Sequence, residues 1–262
     1  ILPTPAGELC IEELKKIRQI ETRLSGRLQQ LAHPEEILNV GIGLMHSVAW
    51  MPRLLPLFHE HYPDVSVRLI EQGDELLLKA LQSNDADIII GGMPVSTQDV
   101  TVTLALEQLL LIVPRAFNII PSWAYTGNSY ENPYEIDPKQ LQGLPLILPS
   151  TVNDIGGITN QVLEHFDIRP KFVTTVDSMQ TAAMLVAQDM GYLFTSPIFL
   201  KAQMAELAPN IVYCMARGIP DSRKIVAVYH SDTYKEEMIS QFLKLLRVVM
   251  FKDQPGMFPL DG

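Results

Sequence analysis

Short apolar runs and amphipathic stretches alternate from residue 37 to residue 91, stop, and begin again near residue 146. No other feature narrows the fold so far. Antiparallel neighbours in a sheet can be joined by a tight turn, but parallel neighbours need a crossover, usually a helix. A strand–helix–strand–helix–strand order with short connections therefore predicts parallel strands covered by helices on both faces. In the first block the strands are Ile37 to Ile42, Val65 to Glu71 and Asp87 to Gly91. The helices between them are Val48 to His59, despite Pro52 and Pro56, and Asp74 to Gln82, with Asp74 as N-cap. Leu104 to Val113 reads as a longer strand or a strand pair.

The stretch from Arg115 to Gly143, with Pro121, Trp123, Tyr125, Tyr130, Pro133, Tyr134 and Pro138, reads as mostly loop with a short helix near Pro138 to Leu141. The second block has strands at Leu146 to Pro149, Phe172 to Val176, Gly191 to Phe194, Ile211 to Met215 and Lys224 to Tyr229. Its helices are Gly157 to His165, Met179 to Gln188, Ile198 to Ala208 and the closing Thr233 to Phe251. Two α/β units in one chain of 262 residues, 47% of them hydrophobic, imply two lobes with a cleft between them.

Charge and processing narrow the function. No apolar run approaches the roughly 18 residues of a membrane span. The net charge of −10 makes this chain by itself a poor ligand for phosphate backbones. Residues 1–36 carry −1 of that charge and residues 37–262 carry −9, so the acidity belongs to the α/β units. Cys10 and Cys214 form no CxxC, a mild sign of a reducing cytosol. Ile1 to Leu14 lacks the basic start and apolar stretch of a signal peptide, so a cytoplasmic chain is expected, and an Ile at position 1 suggests a fragment or processed product.

Ahead of the first strand lies a different kind of segment. Thr4 is an N-cap candidate with Pro5 at the first helical position, and Pro34 ends the helix. Cys10, Leu14, Ile17, Leu24, Leu28 and Leu31 fall on alternating steps of four and three, interrupted only by Glu21. A helix of about 28 residues is about 40 Å long at the usual rise. Such a helix could pack on its own domain or pair with a partner chain, and its length favours pairing through Leu14, Ile17, Leu24, Leu28 and Leu31.

Catalytic and metal-binding patterns are missing from the sequence. His59-Glu60-His61 lacks the HExxH spacing and reads as a solvated helix end. Gly41-Ile42-Gly43 lacks the third glycine of a dinucleotide loop, since His46 stands there. There is no GxSxG elbow, no phosphate-binding GKS/T loop, and no evident triad around His46, His165 or His230. The expectation is a non-enzyme without cofactor or metal. What recurs instead is a strand ending in a polar turn that opens a helix. These turns are Gly43 to Ser47, Ser150 to Asp154, Asp177-Ser178 and Thr195-Ser196-Pro197. Each is an ordinary cap taken alone. Together they suit a small molecule bound at the carboxyl ends of parallel strands, where helix N-termini present free N–H groups.

The order and spacing of several motifs then resemble those of LysR-type transcriptional regulators without their DNA-binding domain. The opening LPTPAGE resembles the motif, usually LTxAGE, that leads into the family's linker helix. Asn39 to Gly43 resembles its first effector-domain strand, and Leu54-Leu55-Pro56-Leu57-Phe58 with Tyr62-Pro63-Asp64-Val65 its L-P-x-(L/F)…(Y/F)-P-x-V signature. Asp85 to Ile89, Leu109 to Pro114, and Ser178 with Leu185-Val186-Ala187 and Gly191 resemble further family segments, and the match runs from Ile1 to about Arg247.

The resemblance implies an α/β fold of the two-lobed type 2 periplasmic-binding-protein kind, behind an N-terminal linker helix at residues 1–36 used for dimerisation. It places lobe I at 37–112 plus 220–262 and lobe II at 113–219. It implies a small effector, often a carboxylate, between the lobes. By similarity the effector meets His46, Ser47, Gln72, Gly91, Gly92, Thr151, Asn153, Asp154, Ser178 and Thr195. It also implies homodimers, commonly assembled into tetramers, and contact with DNA through a domain upstream of this chain. Leu44, Met45 and His46 stand where many members carry Ser or Thr, which gives the site a bulky rim. A rival reading is a transporter's solute-binding protein of the same architecture, typically monomeric and with no use for the N-terminal helix. An enzyme on this fold would need convergent acid, base or nucleophile groups.

Overall fold

The computed structural model describes residues 4–8, 10, 11, 13, 14, 17, 24, 37–92, 99–150, 154–201, 204–219, 222–252 and 256–259. The strands in chain order are β1 (Ile37–Ile42), β2 (Ser66–Glu71), β3 (Ile88–Gly91), β4 (Val100–Gln108), β5 (Leu110–Pro114), β6 (Tyr134–Ile136), β7 (Leu146–Pro149), β8 (Val173–Val176), β9 (Leu193–Thr195), β10 (Ile211–Ala216), β11 (Ser222–Tyr229) and β12 (Met257–Phe258). The α-helices are α1 (Leu44–His61), α2 (Asp74–Gln82), α3 (Asp154–His165), α4 (Met179–Val186), α5 (Pro197–Leu200), α6 (Met204–Leu207) and α7 (Glu236–Phe251).

Two larger sheets and one strand pair result. The first sheet runs β12-β4-β11-β3-β1-β2, the second β6-β10-β5-β9, and β7 pairs with β8. As the alternation predicts, β1 lies parallel to β2 and β3, and β7 parallel to β8. The first sheet is not parallel throughout, because β11 runs antiparallel to both β3 and β4. Gly41 is needed inside β1: a Cβ there would stand 2.8 Å from Ile89 Cγ2 and 3.0 Å from Leu77 Cδ2, so its absence lets α2 close onto the sheet. Trp50, Leu54 and Phe58 of α1 are fully buried, and Phe58 meets Phe242 of α7 edge-on at 5.4 Å.

The chain changes sheets twice. It passes from β4 to β5 through Leu109, three residues before the expected division after Ile112, and Leu110 already pairs with Thr195. It returns between Ala216 and Ser222. Lys235, 2% exposed, fastens the end of α7 to the first sheet. Its Nζ donates to Ile37 O at 2.6 Å and to Asp87 Oδ2 at 2.7 Å, and the same oxygen accepts from the Asn39 backbone N–H at 2.7 Å.

Local expectations fail where no local pattern exists. Gly73, not Asp74, occupies the cap of α2, and Asp74 is its first residue. The helix α1 starts at Leu44 rather than Val48; the buried residues of its first turn are His46 and Ser47, so no apolar periodicity marks it. The expected helix at 198–208 is two single turns, α5 and α6. The short strands β6 and β12 had no signal of their own. The Pro138–Leu141 turn is present as a 3-10 helix capped by Asp137. At the other end of the chain Thr4 Oγ1 accepts from the Gly7 N–H at 3.2 Å, as an N-cap does.

Candidate functional site

A cavity of about 500 Å³ opens where the carboxyl ends of parallel strands from both units face each other. From β1, β2 and β3 come Gly43, Glu71, Gln72 and Gly92; from β7 and β8 come Ser150, Asp177 and Ser178. The first turns of α1, α2, α3 and α4 add Met45, Asp74, Ile155 and Gln180, and Phe199 of α5 closes one side. This is the position at which open α/β sheets bind ligands. Ser178 caps α4, its Oγ accepting from the Thr181 N–H at 3.2 Å, while Gly43 and Gly73 leave α1 and α2 without a side-chain cap.

One wall of the cavity is charged and internally paired. Glu107, on β4, is completely buried. Its Oε2 accepts from Arg223 Nε at 2.6 Å and Nη2 at 2.5 Å, and its Oε1 lies 3.0 Å from His46 Nε2. Burial alone would push the Glu107 carboxyl up; the Arg223 guanidinium, helped by His46, outweighs it and holds the group down to about 2. Glu107 is thus ionised and accepts only, so the His46 Nε2 carries the proton of that bond. The His46 ring stacks on Trp50 at 4.6 Å and meets Phe199 at 5.3 Å, and the Arg223 guanidinium lies over Phe199 at 5.9 Å. Asp74 has its carboxyl pushed up by burial, with Glu107 adding in the same direction; Arg223, His46 and the Gly92 backbone oppose this.

Four of the ten residues expected to meet the effector line this cavity: His46, Gln72, Gly92 and Ser178. Ser47 is 2% exposed and packs beneath it, Gly91 ends β3 behind the rim, and Thr195 is fully buried in β9. Those three are not brought to the cavity wall. Thr151 and Asn153 lie outside the described residues, and Asp154 opens α3. Of the dimerisation stripe, Leu14, Ile17 and Leu24 are more than half exposed, and Leu28 and Leu31 lie outside the described residues.

Sequence reasoning missed Glu107, Arg223, Asp74 and Phe199. The available signal was a lone Glu inside the apolar run Leu104 to Val113, since a carboxylate in a buried strand demands a buried cation. The partner stands 116 residues later and could not be read locally. His230 has a structural role: Nδ1 is 2.8 Å from Asp99 Oδ1 and Nε2 2.9 Å from Leu81 O. His59 and His61 are exposed at the end of α1. Among the described residues no group of three or more His, Cys, Asp or Glu could hold a metal ion, and no helix is long and apolar enough to cross a membrane.

A mixed α/β chain that carries a cavity at the strand ends of two units has the architecture of periplasmic-binding-protein-like ligand-binding domains. It is similar to the regulatory domain of CcmR from Synechocystis PCC6803 solved with 2-PG (TM-score 0.68, 17% identity, 83% of this chain and 99% of that one). It is also similar to the regulatory domain of NMB2055 (MetR), a LysR family regulator from N. meningitidis (TM-score 0.66, 16% identity, 87% of this chain and 100% of that one). The model of the LysR substrate binding domain matches residues 32–250, and the chain belongs to that family.

Among curated relatives, a probable RuBisCO transcriptional regulator of Porphyra purpurea is 26% identical over 213 residues, 78% of this chain and 63% of that protein. A probable cat1 operon transcriptional activator of Acinetobacter lwoffii is 22% identical over 259 residues, 97% of this chain and 79% of that protein. The chain therefore spans less than two thirds of the first of these relatives. The family is one of transcription regulators with effector-binding domains, not of enzymes.

Proposed function

We propose that this chain is the sensing part of a cytoplasmic LysR-type transcriptional regulator, which binds a small organic carboxylate between its two lobes. The lobes are taken as 37–112 plus 220–262 and as 113–219, with the first crossing moved back to Leu109 by the pairing of β5 with β9 and β10. The observation that carries the reading is the cavity itself, because it takes polar strand ends and helix N-termini from both units at once. A ligand that touches both can favour one lobe arrangement over another only through its differential contacts with the two. His46, Gln72, Gly92 and Ser178 contact it from the described wall, and Thr151, Asn153 and Asp154 from the β7–α3 connection.

The helix at residues 1–36 joins two copies through Leu14, Ile17, Leu24, Leu28 and Leu31. The dimer, or a tetramer built from it, changes the spacing of DNA-binding domains attached upstream. Thermal melting of the protein with a panel of carboxylates, paired with footprinting of its promoter by the full regulator, tests this. A ligand that raises the melting temperature and alters the footprint is expected. If every carboxylate leaves both unchanged, the sensing role is wrong.

A further inference from the structure

We infer that the effector of this cleft carries a cationic nitrogen, an ammonium or guanidinium group, in addition to its carboxylate. This rests on the cleft reading above and adds a charge requirement to it. Arg223 and His46 are the only cationic or potentially cationic side chains among the described residues lining the cavity. Both are already bonded to Glu107, a fully buried carboxylate that belongs to the protein. The cleft thus contains its own counterion, and the Glu107 charge offsets that of Arg223.

Three further carboxylates, Glu71, Asp74 and Asp177, line the same cavity. The sequence segments 93–98 and 151–153 contain no charged residue. Helix N-termini supply partial positive charge for one anionic end of a ligand. They do not balance this excess of carboxylates. Asp74 is the group most in need of a cation: it sits in the first turn of α2, and burial holds its carboxyl above the ordinary range. A ligand ammonium placed there would gain a charge-assisted hydrogen bond in a partly dry site. The effector class that satisfies both ends is an amino acid or a related zwitterion.

Matched trios separate the two charges. One is L-leucine, 4-methylvalerate and isoamylamine; the other is 5-aminovalerate, valerate and pentylamine. Calorimetric titration of the full chain should show a zwitterion binding about tenfold or more tighter than its parent carboxylate, the expected worth of one partly buried ion pair of about 1.4 kcal/mol. Asp74→Asn should remove that advantage, and Glu71→Gln should reduce it. If parent carboxylates bind as tightly as the zwitterions, the cation requirement is wrong while the cleft reading stands. If the advantage survives both substitutions, or if no compound of either trio binds, the assignment of the cation to this wall is overturned. Footprinting with the carboxylate panel then decides the cleft reading separately.

Discussion

Replacing Glu107 with Gln removes the single negative charge on which Arg223 and His46 both close, without changing the shape of the wall. The magnitude follows from the site. The carboxyl is held from 4.5 down to about 2 in a group with no exposed surface. A shift of that size corresponds to about 3 kcal/mol of stability at neutral pH. Removing one partner of a buried pair costs about 3–5 kcal/mol by general experience, so the two routes agree. The sign is that of a depressed acid. Its contribution is complete above the unfolded value of about 4.5 and is lost as the pH falls through about 2. Urea unfolding of wild type and Glu107→Gln should therefore differ by about 3 kcal/mol at pH 7 and by only about 1 kcal/mol at pH 3. A gap below about 1 kcal/mol at pH 7, or one that stays constant down to pH 3, would refute the view that this charge network holds the wall together.

Lys235→Met leaves Asp87 and the Ile37 carbonyl without the ammonium that joins them, and should lower urea stability by about 3 kcal/mol or more. A Cβ on Gly156 would stand 2.5 Å from Pro149 O and 2.9 Å from Ser150 O, whereas one on Gly157 meets nothing within 4 Å. Gly156→Ala should thus cost about 1–3 kcal/mol, and Gly157→Ala, inside α3, should be neutral or stabilising by up to about 1 kcal/mol, both read by thermal melting. Cys10 is exposed, while burial pushes the Cys214 thiol up to about 12. At pH 8 a thiol reagent should modify one cysteine of the folded chain at once and the second only in denaturant. Changing Leu14, Ile17 and Leu24 together to Ser should lower the sedimentation coefficient at equal concentration, and an unchanged value would remove the stripe from the dimer contact.

Much of the cavity's frame was legible because caps and strand ends are local. Ser178 caps its helix by a bond to a residue three positions away, and Gln72 and Gly92 follow strands recognisable from their apolar runs. Ser47 illustrates the limit. It is the hydroxyl nearest the expected site, but the helix begins at Leu44, so it is His46 that lines the cavity while Ser47 packs beneath it. One position along a helix turns a side chain through about a quarter of a circle, enough to move it from wall to core.

The residues alone determined most of the order of strands and helices, the parallel pairing of β1 with β2 and β3, and the polar cap that opens α4. Those depend on periodicity and capping, which act over three or four residues. Tertiary structure decided that β11 would run antiparallel between β3 and β4. That register sets Arg223 opposite Glu107 and places the charge pair against the cavity. No local rule reaches across 116 residues, because the free energy of that pair exists only once two distant strands have already excluded water around it.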